Sequence, residues 1–204
     1  MIQKGTASVT GRLQFQTDAL PDFRAAEAPI AVEVRLARQD DIATYVAFAR
    51  VAQAWLGSRG LGQYVPAAHD AYAARIRAQV ASNVLHSVWS NGAAIAFFSL
   101  DPTPSPWWPA DGAAALYLSG MVVAREARGR GVGSYAVEWC TAEARRRGCE
   151  FVRLDCHADN RWLCGYYEAQ GFTLQGRLEQ HPGYEGCLYQ RAVRLPSVPG
   201  DSAK

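Results

Sequence analysis

No apolar run in this chain approaches the roughly 20 residues that a membrane-crossing helix needs. The opening residues lack the apolar centre of a secretory leader, so the expected location is the cytoplasm. The cysteines, at 140, 149, 156, 164 and 187, form no Cys-x-x-Cys pair, and no Cys/His pair has zinc-finger spacing. Metal is therefore not expected, and an odd, unpatterned set of thiols suits a reducing compartment. The formal net charge is only +2, which gives no electrostatic case for nucleic acid or an anionic membrane. Arg145-Arg146-Arg147 is basic, but it falls in the last turn of an expected helix, where cations complement the negative helix end. There is no internal repeat and no low-complexity segment.

What is present fits one globular domain. The chain has 204 residues, 49% of them hydrophobic, enough to bury a sizeable core. Residues 1–28 show no sustained period and read as an extension, with one stray strand around Leu13–Phe15. A single domain spans 29–195, and 196–204 read as a disordered tail. Within the domain, Ile30–Leu36 is the first expected strand. Asp40 or Asp41 caps a helix reaching about Leu56, broken by the glycine-rich turn to Gly62. A second helix covers about 67–81. Leu85–Trp89 and Ala94–Leu100 form a hairpin through Asn91-Gly92, because both turn residues tolerate positive φ. The stretch 101–112 is a proline-stiffened loop carrying Trp107-Trp108. Strands follow at Leu116–Val123 and Phe151–Cys156, with a helix over Gly133–Arg147 between them. Cys140 falls on the apolar face of that helix, and Gly148 stops it. Asn160–Ala169 is a short helix. Phe172–Leu174 and Cys187–Val193 close the domain as a strand pair.

The strand ending at Val123 runs through a charged turn into Arg128-Gly129-Arg130-Gly131-Val132-Gly133-Ser134, where a helix begins. A glycine loop feeding a helix N-terminus gathers backbone N–H groups on one small volume, and that geometry suits phosphate. Three phosphate motifs compete. A P-loop needs Gly-Lys-Ser/Thr, and the lysine is missing. A dinucleotide fingerprint finds its acid in Asp155, but the spacing is Gly-x-Gly-x-Gly and too little chain follows for a doubly wound sheet. Arg128-x-x-Gly131-x-Gly133 matches the third, Arg/Gln-x-x-Gly-x-Gly/Ala. A second segment stands one helix and one strand downstream: Asn160-x-x-Leu163-x-x-Tyr166-Tyr167-Glu168-x-x-Gly171-Phe172.

Together these two segments resemble the GNAT superfamily of acyl-CoA-dependent N-acetyltransferases, over roughly Val34 to Val193. Trp55-Leu56 through Gln63 and the strand end Leu154-Asp155-Cys156 look like a bacterial small-molecule subgroup. The resemblance implies a mixed α/β (α+β) fold. Its central sheet of about six to seven mostly antiparallel strands is flanked by about four helices, with a parallel pair splayed at the CoA site. It implies acetyl-CoA as co-substrate, no metal, and direct attack by an amine.

By the same resemblance, the amides from Gly129 to Ser134 would hold the diphosphate, with Arg128 and Arg130 adding charge. The backbone of Met121, Val122 and Val123 would pair with the pantetheine arm, and an N–H of Met121 or Val122 would polarise the thioester carbonyl. Tyr167 is the expected general acid, with Tyr166 as alternative; helical geometry lets only one of them face the sulfur. Asn160 would bond the cofactor arm or cap the short helix. The usual glutamate is missing from the strand 114–120. A water relay to a backbone carbonyl or to Ser119, or His157, is the candidate base. Trp55, Gln63, Tyr64, Trp107 and Trp108 are the expected acceptor lining, suited to a small, partly apolar amine; Trp107 and Trp108 could instead join two copies of the chain. A catalytically idle CoA-binding sensor and a dinucleotide enzyme are the rival functions.

Overall fold

The computed structural model describes residues 31–61 and 69–193. The expected extension, the strand at Leu13–Phe15, the C-terminal tail, Gln63 and Tyr64 all lie outside those residues. In chain order come β1 (Glu33–Leu36), α1 (Ile42–Gly57), α2 (His69–Ala81), β2 (Leu85–Ser90), β3 (Ala93–Asp101) and β4 (Ala115–Val123). Then follow α3 (Val132–Arg146), β5 (Phe151–His157), α4 (Arg161–Ala169), β6 (Thr173–His181) and β7 (Tyr184–Ala192). One seven-stranded sheet has the order β1-β2-β3-β4-β5-β7-β6. Every pairing is antiparallel except β4 with β5. This is the mixed sheet with a parallel pair that was expected.

Local chemistry explains most boundaries. Asn91 and Gly92 both have positive φ, 49° and 77°, which lets β2 turn tightly into β3. Asp41 closes the entry to α1, its carboxylate accepting from the Arg38 amide at 2.8 Å. In α3, Val132, Ala136, Cys140 and Ala144 recur every four residues and are buried, as one face of a 3.6-residue helix requires. Gly148, at φ 71°, ends that helix as expected.

The sheet is covered on both faces. α3 packs its buried stripe on Leu116, Leu118, Val152 and Leu154. On the opposite face, Tyr45 of α1 and Ile76 and Val80 of α2 pack on Leu85, Phe97 and Val122. Two features break the regularity, and both lie in β4. Ser99 pairs with Ser119 and Phe97 with Val122, so Gly120 and Met121 together oppose Phe98. That extra residue is a β-bulge. Beyond it, β4 and β5 pair only over Ala115–Tyr117 and Phe151–Arg153. Both strands continue past that point without pairing to each other, so a seam opens in the middle of the sheet.

The expected elements needed correction at the C-terminal end. β6 runs Thr173–His181, far beyond Leu174, and β7 starts at Tyr184 rather than Cys187. The turn between them passes through Gly183, with φ 76°. β6 is an edge strand with an exposed, polar sequence, so its apolar pattern is weak.

Candidate active site

The loop after β4 is built for an anion. Arg125–Ala127 forms a 3-10 turn, after which Gly129 and Gly131 take left-handed φ of 74° and 75°. Side chains carrying a Cβ resist that conformation. The chain then enters α3, whose first amides, at Val132, Gly133 and Ser134, have no acceptor within the helix. The positive helix end and these amides aim at one place. Arg128 and Arg130 are exposed beside it. Arg128 Nε donates to the Val123 carbonyl at 3.3 Å.

Gly133 is a glycine for another reason. Its φ is ordinary, but a Cβ there would lie 2.6 Å from the Tyr166 hydroxyl and 3.9 Å from Met121 Sδ. Tyr166 of α4 therefore lies over the start of α3, next to β4. Burial raises its phenol pKa, opposed by the Ser134 hydroxyl. Tyr167 points elsewhere. It is buried against Phe172, with ring centroids 5.6 Å apart, on the same face of the sheet as α3. Burial pushes its phenol pKa far up, with Cys156, Tyr166, Cys140 and Asp155 adding in the same direction. Two adjacent tyrosines thus face different surroundings, as helical geometry demands. Asn160 caps α4: its Oδ1 accepts from the Leu163 amide at 3.1 Å.

Met121 and Val123 pack toward the α3 face, and Val122 toward α1 and α2. The bulge between Ser119 and Val122 is fixed by Tyr45 Oη, which donates to the Gly120 carbonyl at 2.9 Å. Gly120 has φ 59°, and a Cβ on it would meet that same hydroxyl at 2.6 Å.

On the face opposite Tyr167, a cavity of about 230 Å³ opens at the seam, lined by Asp101, Trp108, Tyr117, Ser119, Leu154 and Asp155 among others. Trp108 is buried and meets Tyr117 edge-on at 6.2 Å, while Trp107 is half-buried. The pair folds back on its own sheet rather than standing out as an exposed tip. Arg153 holds this loop. Its guanidinium is 3% exposed, grips Asp111 at 2.5 and 3.0 Å, and takes Gln190 Oε1 as a further acceptor at 2.8 Å. The same cation lies 4.7 Å from the Trp108 ring. Asp111 is held down to about 2, first by the Arg153 hydrogen bond.

Two sequence expectations land elsewhere. Trp55 does not line that cavity. It stands beside the loop, with the guanidinium of Arg59 4.4 Å and that of Arg128 5.9 Å from its ring. Helix α1 places it there, because α1 packs along the β4 end, where a second cavity of about 260 Å³ runs from Phe48 and Val51 to Arg128. His157 also stays out of the seam cavity. It is 8% exposed, accepts the Asp159 amide on Nδ1 at 3.0 Å, and meets Tyr184 edge-on at 4.2 Å. Residue 157 ends β5, and the Asp159 turn ties its ring to β7. Cys156 and Cys164 are buried, their sulfurs 3.8 Å apart between β5 and α4.

Asp155 and Tyr45 were not singled out from sequence as site residues. Period-two alternation places Asp155 on the strand face of Arg153, toward the seam. Its spacing from the glycine loop had suggested a ribose-binding acid instead. Tyr45 gave no signal, since its contact is 75 residues away in sequence.

These features define a fold and a loop with known counterparts. A model of the acetyltransferase (GNAT) family matches residues 49–172. The chain belongs to that family. It is 31% identical over 80 residues to the uncharacterized N-acetyltransferase YesJ of Bacillus subtilis strain 168, a match covering 37% of this chain and 44% of that protein. The matched stretch thus spans less than half the length of that relative. The fold is similar to that of a GNAT-family acetyltransferase from Listeria monocytogenes 4b F2365, with TM-score 0.66 and 22% identity, covering 79% of this chain and 94% of that one. It is also similar to yncA from Salmonella typhimurium, solved with its cofactor acetyl-CoA, with TM-score 0.57 and 17% identity over 84% of this chain and 99% of that one.

Proposed function

We propose that the protein transfers an acetyl group from acetyl-CoA to the amine of a small molecule. The observation that supports this best is that the glycine loop directly follows the bulged, seam-bordering stretch of β4. The left-handed loop at Gly129 and Gly131 follows the end of β4, and the bulged stretch Ser119–Val123 before it forms one edge of the seam that opens past Tyr117. The loop amides and Arg130 suit a diphosphate, and the seam offers unpaired strand backbone to an amide-bearing arm. Acetyl-CoA, the ligand bound to yncA, supplies both the linked phosphates and the reactive thioester.

In this reading the chain's own residues have few tasks. An amide of Met121 or Val122, turned by the bulge and held by Tyr45, polarises the thioester carbonyl. Tyr167 keeps its proton at neutral pH, because burial raises its pKa, and gives it to the departing sulfur. Tyr166 walls the arm above Gly133. The cavity behind Ser119, at about 230 Å³, accommodates a small acceptor rather than a folded protein. The free thiols of the cysteines agree with work in the cytoplasm.

Thiol release from acetyl-CoA across a panel of primary amines tests the proposal, beside calorimetry with CoA. Turnover with CoA binding supports it. CoA binding with no turnover by any amine would point to a sensor, and NAD binding in place of CoA would overturn the reading altogether.

A further inference from the structure

We infer that Asp155 takes the proton from the attacking amine, and that the cavity it lines selects acceptors arriving as ammonium ions. This rests on the acetyl-transfer reading and assigns the base that strand 114–120 does not supply.

The geometry has three parts. First, Asp155 follows the last paired residue of β5, Arg153, by two positions, and Ser119 follows its partner Tyr117 by two. The two side chains flank the open seam, both lining the same cavity. Second, the faces of the sheet are divided. Tyr167 lies with Val152, Leu154 and Cys156 on the α3 face. Asp155 alternates to the other face, with Tyr117 and Trp108. Tyr167 and Asp155 therefore stand on opposite faces of the sheet. Third, the cavity is negative. Asp101 and Asp155 both line it, and no lysine, arginine or histidine is among its described lining residues; Arg153 stands just behind the lining, donating to the Tyr117 hydroxyl at 3.3 Å. Arg153, the nearest cation on the strand, is spent on Asp111. The Trp108 ring already carries the Arg153 guanidinium at 4.7 Å, so the attraction for an acceptor's cation rests on the two carboxylates.

Asp155 is also prepared for the role. Gln180 Nε2 donates to its Oδ2 at 3.2 Å, which fixes the carboxyl plane. Desolvation by burial raises its pKa, and the Gln180 bond opposes that rise. A raised carboxyl is a stronger base than an exposed one. The balance is simple. The ammonium loses one proton to Asp155, which passes it to water. Its nitrogen lone pair forms the C–N bond as the C–S bond breaks, the sulfur takes the Tyr167 proton, and the second surplus proton of the nitrogen restores Tyr167.

Calorimetry with two probes tests this. Tyramine carries an ammonium group; tyrosol carries a hydroxyl in its place. The native protein should bind tyramine roughly 30-fold more tightly than tyrosol, the size expected for one desolvated charge pair. Asp155→Asn should erase that preference, leave CoA binding unchanged, and lower turnover of amines roughly 10²-fold. Asp155→Glu should restore part of the preference. Equal binding of the two probes, binding of neither, or undiminished turnover in Asp155→Asn overturns the inference while leaving the CoA reading intact. Loss of CoA binding by the native protein overturns the reading beneath it.

Discussion

The phenol of Tyr45, in α1, donates to the carbonyl of Gly120, at the bulge of β4, over 2.9 Å. The bond joins a helix on one face to the backbone that the proposed oxyanion amide belongs to. Tyr45→Phe should cost about 1 kcal/mol in stability, the usual net worth of one hydrogen bond. If the bond also sets the bulge, acetyl-CoA turnover should fall by more than CoA affinity does. Urea unfolding and calorimetry measure the two effects. Unchanged turnover in a normally stable variant would confine Tyr45 to packing.

Gly133 and Tyr166 form a second coupled pair. Gly133→Ala sets a methyl 2.6 Å from the phenolic oxygen and should weaken CoA binding by displacing α4. The ring carbon bearing that oxygen lies 3.5 Å away, an ordinary contact. Adding Tyr166→Phe should therefore rescue the alanine variant. A double-mutant cycle on CoA affinity reads the coupling, and simple additivity would refute it.

Gly131 tests the anion cradle. Gly131→Ala should lose roughly 1–2 kcal/mol of stability, because φ there is left-handed. Gly131→Glu adds negative charge to the same place and should abolish CoA binding. Thermal melts with and without CoA separate the two effects.

Tyr167→Phe should slow acetyl transfer strongly, with CoA affinity little changed, if the hydroxyl serves the leaving sulfur as proposed. Tyr166→Phe should do the reverse, with a larger effect on affinity than on rate. Steady-state kinetics beside calorimetry distinguishes them, and equal effects would mean the roles are not divided.

Asp111 has a folded pKa of about 2, below its usual 3.8, chiefly through the hydrogen bond from Arg153. A depressed carboxylate contributes its stabilisation fully above the unfolded value and loses it as pH falls through the folded one. The loop at Trp108 should thus loosen between about pH 4 and 2. Tryptophan fluorescence would show a step in that range, absent from Asp111→Asn and from Trp108→Phe.

Much of this was legible in the sequence, for local reasons. The β2–β3 hairpin follows from Asn91-Gly92, α3 from its four-residue stripe, and the loop from its glycines. Those signals act within a turn or two of chain. The missed features depend on distant partners. β6 is polar because it forms an edge, and only β7 makes it a strand. Trp55 reads as pocket lining until α1 lies along β4 beside Arg128. Gly133 was assigned to phosphate, yet a phenol from α4 also demands it. Asp155 gained its meaning only when β4 and β5 parted.

That parting has a cost for the unliganded molecule. Strand backbone beyond Tyr117 and Arg153 faces a gap in mid-sheet, where most proteins keep their most protected amides. A bound thioester arm would act there as a borrowed slat, closing the gap with its own amides. The cell's supply of that reagent would then govern more than reaction speed: chains starved of it should exchange deuterium sooner at the heart of the sheet and yield earlier to proteases.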